Sequence, residues 1–173
     1  MKFDSAIVQA RYPSPLGLMT LAATPVGLAG VWFDGQRHMP PALAHPGSWP
    51  VDAAHPVLVN TARQLDEYFA GQRLAFDLTL DLRGGTAFQR AVWQALLALP
   101  YGQTSSYGSI SRNIGHAAAV RAVGAAVGRN PLSLVVPCHR VLGSGGLLTG
   151  YAGGLDRKTA LLRLEGALEE NPL

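Results

Sequence analysis

The sequence predicts an α/β protein: a small N-terminal α/β domain with an antiparallel sheet over residues 1–84, followed by a mostly helical C-terminal domain over residues 85–173. Two apolar runs flank a Pro/Gly turn within residues 15–34, a pattern typical of a β-hairpin. After Gly84 and Gly85 the periodicity becomes helical and the charge balance changes. With 173 residues, 48% of them hydrophobic and 14% charged, the chain can bury a core, and disorder, collagen and a coiled coil are excluded.

Local patterns predict the N-terminal elements. Residues 24–27, Thr-Pro-Val-Gly, form the turn between two strands. Residues 38–56 carry five prolines and three histidines without periodicity, which favours a loop. Helical spacing of apolar residues predicts a helix over 58–69 that ends before Gly71. Residues 74–82 alternate apolar with mostly polar side chains, so they are predicted to form a half-buried strand.

The C-terminal part begins with a capped helix. Thr86 and Gln89 have the spacing of a capping box, and an apolar helical face continues to Leu99. A short helix after Ser106 and a third helix over 117–127 suggest a helix-turn-helix. Two helices joined by a glycine turn also occur as packed hairpins in ordinary cores, so this pattern alone leaves both interpretations open.

The third predicted helix has an unusual composition, because Arg121 is its single long polar side chain and most of the others are Ala or Gly. Small side chains permit close approach, either of a neighbouring helix or of a DNA groove. The charge distribution favours a polyanion: residues 86–163 carry eight Lys or Arg against one acid, whereas residues 1–85 carry six against seven. A solvated basic surface without a partner is the alternative. The remaining acids lie at the C-terminal end, at Glu165, Glu169 and Glu170.

Cys138 is the only cysteine, which excludes a disulfide and a cysteine-rich zinc site and favours a cytoplasmic protein. Residues 132–136 form an apolar run that predicts a buried strand leading to this cysteine. The apolar stretch within residues 1–11 is too short for a signal peptide or a membrane span, and no targeting signal is expected. A lone cysteine is often a small core residue, but the neighbouring His139 and Arg140 favour a reactive thiolate.

Four sequence segments together resemble the O6-alkylguanine-DNA alkyltransferases, the repair proteins also called methylated-DNA-protein-cysteine methyltransferases. They are RAVGAAVGRNP at 121–131, PCHRV at 137–141, GYAGGLDRK at 150–158 and LLRLEG at 161–166. The match is close over residues 84–168 and loose before them. The resemblance implies direct reversal of O6-alkylguanine damage with one event per molecule and no cofactor. It leaves open whether O4-alkylthymine is also a substrate.

The resemblance also implies catalytic roles. Cys138 attacks the alkyl carbon and keeps the group as a thioether. His139 accepts the thiol proton through a water and is oriented by Glu165. Tyr107 supplies a hydrogen bond to the departing guanine, and Asn130 braces the turn before the active-site segment.

By the same resemblance, the alkyl group is bound by Tyr151, Ala152, Val141 and Ser133. The chain departs from some relatives at three points. It lacks the cysteines of an N-terminal zinc site, so no metal is expected. Ser133 stands where some have proline, which is expected to change how bulky aromatic groups pack. Ala152 stands where others have serine, so only its backbone N–H can bond to O6.

The implied partner is double-stranded DNA, bound through the minor groove with little dependence on sequence. Arg121 is expected to fill the stack that the flipped base leaves, and the protein is expected to act as a monomer without contact with membranes. Further DNA contacts are predicted at Ala119, Ala122, Gly124, Arg129, Thr104 and Ser105.

Four competing functions differ in recognisable features. A lesion binder without chemistry lacks the cysteine of this motif, and a regulator of the adaptive-response type needs an additional cysteine-rich domain. A Cys-His hydrolase turns over repeatedly on esters or peptides. A methyltransferase with a soluble methyl donor needs a glycine-rich nucleotide motif, which the sequence does not contain.

Overall fold

The N-terminal part is built on a three-stranded antiparallel sheet in a computed structural model that describes residues 2–45 and 47–168; Glu169 and Glu170 lie outside them. The strands are β1 (Val8–Ser14), β2 (Gly17–Ala23) and β3 (Leu28–Phe33), in that order across the sheet. The predicted hairpin is confirmed as β2 and β3, whereas β1 had no distinct sequence signal.

Helix α1 (Pro56–Phe69) packs against the sheet and confirms the predicted helix. Pro56 occupies its first turn, where a missing N–H costs nothing, and its buried face contains Leu58, Leu65 and Tyr68. The preceding loop holds one short 3-10 helix, Pro41–Ala44.

The strand predicted over residues 74–82 is wrong. This segment has no regular secondary structure apart from one isolated bridge to the sheet, between Leu80 and Leu28, and its Phe76 is half-buried. The reason is competition for the outer edge of β3. At Val31, that edge bonds to a different segment, with its N–H donating to the Pro131 carbonyl at 2.8 Å.

The C-terminal part contains four α-helices and a small parallel sheet among the described residues. The capping box is confirmed: Thr86 Oγ1 accepts from the Gln89 N–H at 3.2 Å and Gln89 Oε1 accepts from the Thr86 N–H at 2.9 Å. The elements in order are α2 (Ala87–Leu97), β4 (Ser105–Ser106), α3 (Tyr107–Asn113), α4 (Val120–Gly128), β5 (Val141–Leu142) and α5 (Leu155–Leu164).

Helices α2, α3 and α4 pack on one another, and α3 and α4 form the helix-turn-helix that the sequence suggests. The Trp93 indole N–H of α2 donates to the Ala126 carbonyl of α4 at 2.9 Å, and this buried hydrogen bond joins the two helices. The buried side of α4 consists of Val123, Ala126 and Val127. Arg121 and Ala122 are exposed, so this part of the small-residue face is free of contact with the packed helices.

The buried strand predicted over residues 132–136 is also wrong. The segment is a compact turn in which the Val136 N–H donates to the Leu132 carbonyl at 2.9 Å, and Leu134 has φ of +68°. Apolar composition fitted a strand, but the amide side chain of Asn130 bonds inside the turn and holds it closed.

Side chains from both parts of the chain share one hydrophobic core, to which β2, α1, α2 and α5 contribute Leu21, Leu65, Trp93 and Leu161. The fold class is as predicted, whereas the division at residue 84 stays a prediction. Within the described residues, every helix is too short or too polar to cross a bilayer.

Candidate active site

Asn130 positions the cysteine. Its Nδ2 donates to the Val136 carbonyl at 2.8 Å and to Cys138 Sγ at 3.0 Å, and its Oδ1 accepts from the Leu132 N–H at 3.0 Å. Cys138 then opens a short 3-10 helix that ends at Arg140. The amide therefore closes the preceding turn and holds the sulfur at the same time.

The thiol is protonated at rest. Cys138 is 4% exposed, and burial raises the pKa of its thiol, because a charged sulfur loses its hydration there. The hydrogen bond from Asn130 and the charge of Lys158 lower this pKa in part. A reaction through the thiolate consequently needs a base close by.

His139 follows the cysteine directly, and its ring is held by Glu165. Nε2 of His139 lies 2.8 Å from Oε1 of Glu165, and both side chains are fully buried. Burial raises the pKa of Glu165, but hydrogen bonds from His139 and Arg140 outweigh it and hold the pKa at about 2. An ionised carboxylate only accepts, so Nε2 of the neutral imidazole carries the hydrogen.

The other ring nitrogen is consequently the basic one. Nδ1 of His139 is buried and has no hydrogen-bond partner among the described residues. Burial lowers the pKa of His139, although the Glu165 carboxylate raises it, and the ring is neutral at pH 7. A neutral ring with one unpartnered nitrogen can accept a proton.

Two residues for which the sequence predicted no such contact, Arg140 and Tyr68, hold Glu165 in place. Arg140 binds both carboxylate oxygens, with Nε at 2.8 Å and a terminal nitrogen at 2.9 Å, and the Tyr68 hydroxyl donates to Oε1 at 2.7 Å. Arg140 was predicted only to favour the thiolate, from its place in the motif, and the structure instead pairs it with Glu165. Tyr68 lies in α1, far from the motif in sequence, and its helical spacing indicated only packing.

Burial raises the pKa of two tyrosine hydroxyls, and both tyrosines lie close enough to Cys138 for its charge to raise this pKa further. The Tyr107 hydroxyl donates to the carbonyl of Gly150 at 3.2 Å. Tyr151 is buried, and its hydroxyl has no hydrogen-bond partner among the described residues. Both rings and Ala152 line a cavity of about 200 Å³. The predicted pocket residue Ser133 lies in the turn before Cys138, with its hydroxyl 3.2 Å from Oε1 of Gln36.

Lys158 is a third residue that the sequence analysis missed. It is fully buried, and its ammonium group donates to the carbonyls of Val141 at 2.5 Å and Thr149 at 2.7 Å. Burial lowers the pKa of Lys158 to about 8, against the opposing effect of Cys138. Val141 itself is fully buried in β5, so its predicted role in the alkyl pocket stays a prediction.

The predicted DNA contacts lie at 104–105, just before α3, and at 119–129, in and around α4. Arg129 and Thr104 are exposed, while Ala119, Gly124 and Ser105 are half-buried. Their roles stay predictions. Within residues 2–45 and 47–168, no three His, Cys, Asp or Glu side chains are grouped as a metal site would require.

Fold and site together define a cysteine-dependent group-transfer protein built on a helix-turn-helix. Family models agree over most of the chain: the ribonuclease-like domain of 6-O-methylguanine DNA methyltransferase matches residues 7–82, and the DNA binding domain matches residues 87–167. The chain belongs to this methyltransferase family.

Individual relatives agree with the family models. The methylated-DNA--protein-cysteine methyltransferase of Mycolicibacterium paratuberculosis is 48% identical over 152 residues, 88% of each chain. The one from Methanosarcina acetivorans is 46% identical over 159 residues, 91% of this chain and 97% of the relative. The crystal structure of Mycobacterium tuberculosis OGT in complex with DNA matches with a TM-score of 0.80 and 44% identity, covering 93% of this chain and 92% of that one.

The low pKa of Glu165 predicts a pH dependence of stability. A carboxyl group whose pKa falls from 4.5 to about 2 on folding stabilises the fold above pH 4.5, and this contribution is lost as the pH falls towards 2. The shift corresponds to about 3 kcal/mol of unfolding free energy. Urea unfolding between pH 6 and pH 3 should therefore show a steeper loss for the wild type than for Glu165→Gln.

Asp77→Asn, which removes an exposed carboxylate, is the matched control and should keep the wild-type pH dependence. If the unfolding free energy falls equally with pH for the wild type and Glu165→Gln, the buried partners of Glu165 do not hold its carboxylate ionised.

Proposed function

We propose that the protein repairs O6-alkylguanine in double-stranded DNA by moving the alkyl group irreversibly to Sγ of Cys138. Family membership and the DNA-bound relative support DNA repair by alkyl transfer to a cysteine. One observation carries the assignment to this residue. The sole cysteine is held by Asn130 and followed by a buried histidine that has one ring nitrogen on Glu165 and the other unpartnered.

The thiol proton moves through a water to Nδ1 of His139, and Glu165 stabilises the imidazolium that forms. The thiolate attacks the alkyl carbon in line with its bond to O6. As the S–C bond forms, the C–O6 bond breaks and its electron pair stays on the guanine. Tyr107 donates a hydrogen bond to this anion, and uptake of one proton restores neutral guanine, which balances the proton that the thiol lost.

The lesion has to leave the helix to react. Cys138 is buried, and the cavity beside Tyr107 and Tyr151 has room for a base but not for a duplex. Base flipping costs a few kcal/mol, and less for a damaged base that pairs poorly. In our proposal, α4 lies in the minor groove, where its small exposed side chains allow close approach and Arg121 enters the vacated stack.

One chain supplies every residue of this scheme, which supports action as a monomer. In this scheme, residues 1–84 carry α1 and residues 85–173 carry the cysteine. The N-terminal part has a role in catalysis, because Tyr68 in α1 bonds to Glu165.

Intact-protein mass spectrometry tests the proposed transfer. Incubation with excess duplex that contains O6-methylguanine should add the mass of one methyl group in exchange for the thiol hydrogen, located on the peptide with Cys138. Cys138→Ser should gain nothing. Repeated turnover, as a Cys-His hydrolase shows, or a label on another residue would contradict the proposal.

Base flipping is tested by Arg121→Ala. Removing this side chain should slow repair of a duplex lesion by an amount that corresponds to about 1–3 kcal/mol of stacking and charge contacts. Reaction with free O6-methylguanine base should change little, since no stack has to be opened. The second-order rate constants on both substrates measure the difference.

Arg163→Ala removes the same charge from an exposed position on α5 and should leave both rate constants near the wild-type values. Equal losses on duplex and free base for Arg121→Ala would mean that Arg121 supports the fold or the thiolate, and the groove contact of α4 would have to be abandoned.

A further inference from the structure

The segment that follows β3 is anchored to both sides of the alkyl pocket. Gln36 is buried, and its Oε1 accepts from the Phe33 N–H at 2.9 Å and lies 3.2 Å from the Ser133 hydroxyl. The next residue, Arg37, donates its backbone N–H to the Ala152 carbonyl at 2.9 Å. The backbone of the N-terminal part is thus fixed at the pocket by contacts that do not involve the Arg37 side chain.

Arg37 lies at the rim of the cavity that contains the two tyrosines. The cavity of about 200 Å³ is lined by Gly124 and Gly128 of α4, by Tyr107 and Tyr151, and by Arg37 with its neighbour His38. Arg37 is exposed, so its guanidinium is open to solvent beside the helix that carries Arg121.

Arg37 also differs from the other arginines of the N-terminal part. Arg11, Arg63, Arg73 and Arg83 each form an ion pair with a carboxylate. Within residues 2–45 and 47–168, the Arg37 side chain forms neither an ion pair nor a hydrogen bond. An unpaired guanidinium at a pocket rim is suited to an anion, and its planar set of donors matches phosphate oxygens.

We propose that Arg37 binds a phosphate of the lesion-carrying DNA strand next to the flipped nucleotide. This inference rests on the proposed function, because a nucleotide that enters the cavity brings its own phosphates to the rim. The N-terminal part then contributes a DNA contact of its own, in addition to the helix-turn-helix. Such a contact positions the strand without reading sequence, which suits repair of lesions in any context.

The salt dependence of repair tests the contact. Each neutralised phosphate contributes a slope of about −0.9 to the plot of log affinity against log salt concentration. Arg37→Ala should reduce the magnitude of this slope by about one unit, and the duplex rate constant at low salt should fall about tenfold. Arg37→Lys should restore most of the slope, since it keeps the charge.

Arg63→Ala is the matched control, because it removes one arginine from an exposed face of α1 in the same part of the chain. It should keep the wild-type slope. Reaction with free O6-methylguanine should proceed at the wild-type rate in all three variants, which shows that the pocket is intact.

A slope for Arg37→Ala equal to that of Arg63→Ala would overturn the inference, and so would an equal loss on duplex and free base. Failure of the proposed function is a separate result: the wild type itself would then transfer no alkyl group to Cys138 from either substrate.

Discussion

The buried carboxylate of Glu165 is the interaction on which the site depends. It follows α5 directly and receives hydrogen bonds from Tyr68 in α1, from His139 and Arg140 in the active-site 3-10 helix, and from the Gly102 N–H at 3.3 Å. A buried negative charge is tolerable only when it is this fully paired. The hydrogen bonds that stabilise this charge also fix the tautomer of His139. They therefore hold α1 and α5 together at the site and leave Nδ1 as the basic nitrogen.

The sulfur is subject to opposing requirements. Burial keeps the Cys138 thiol neutral, yet the chemistry needs a thiolate. Asn130 supplies a hydrogen bond and Lys158 a nearby positive charge, and in the proposed mechanism His139 is the proton acceptor. In the proposed reaction, which occurs once per molecule, this balance is an advantage, because a thiol that stays neutral before the reaction does not react with other electrophiles. The thiolate is needed only when an alkyl group lies in the pocket.

Local secondary structure was predictable from the sequence, whereas contacts between residues distant in sequence were not. The capping box at Thr86 and the helix over 58–69 follow from spacing that operates within one turn. The strand predicted over 74–82 does not form because another segment occupies part of the edge of β3, although the alternation in the sequence is real. The strand predicted over 132–136 does not form because the amide of Asn130 holds this apolar segment in a turn. The resemblance grouped Cys138, His139 and Glu165, and the structure joins His139 to Glu165. Tyr68 and Gln36 carry no motif, since only folding brings α1 and the end of β3 to the site.

A double-mutant cycle on His139 and Glu165 tests most directly whether the two residues act as one unit. The measurement is the second-order rate constant with free O6-methylguanine for the wild type, His139→Ala, Glu165→Gln and the double variant, each confirmed as folded by urea unfolding. If Glu165 acts through His139, both single changes slow transfer, and the double variant is no slower than the slower single variant. Fold losses that multiply in the double variant, or single variants that react at the wild-type rate, would contradict the coupling and leave Cys138 without its base.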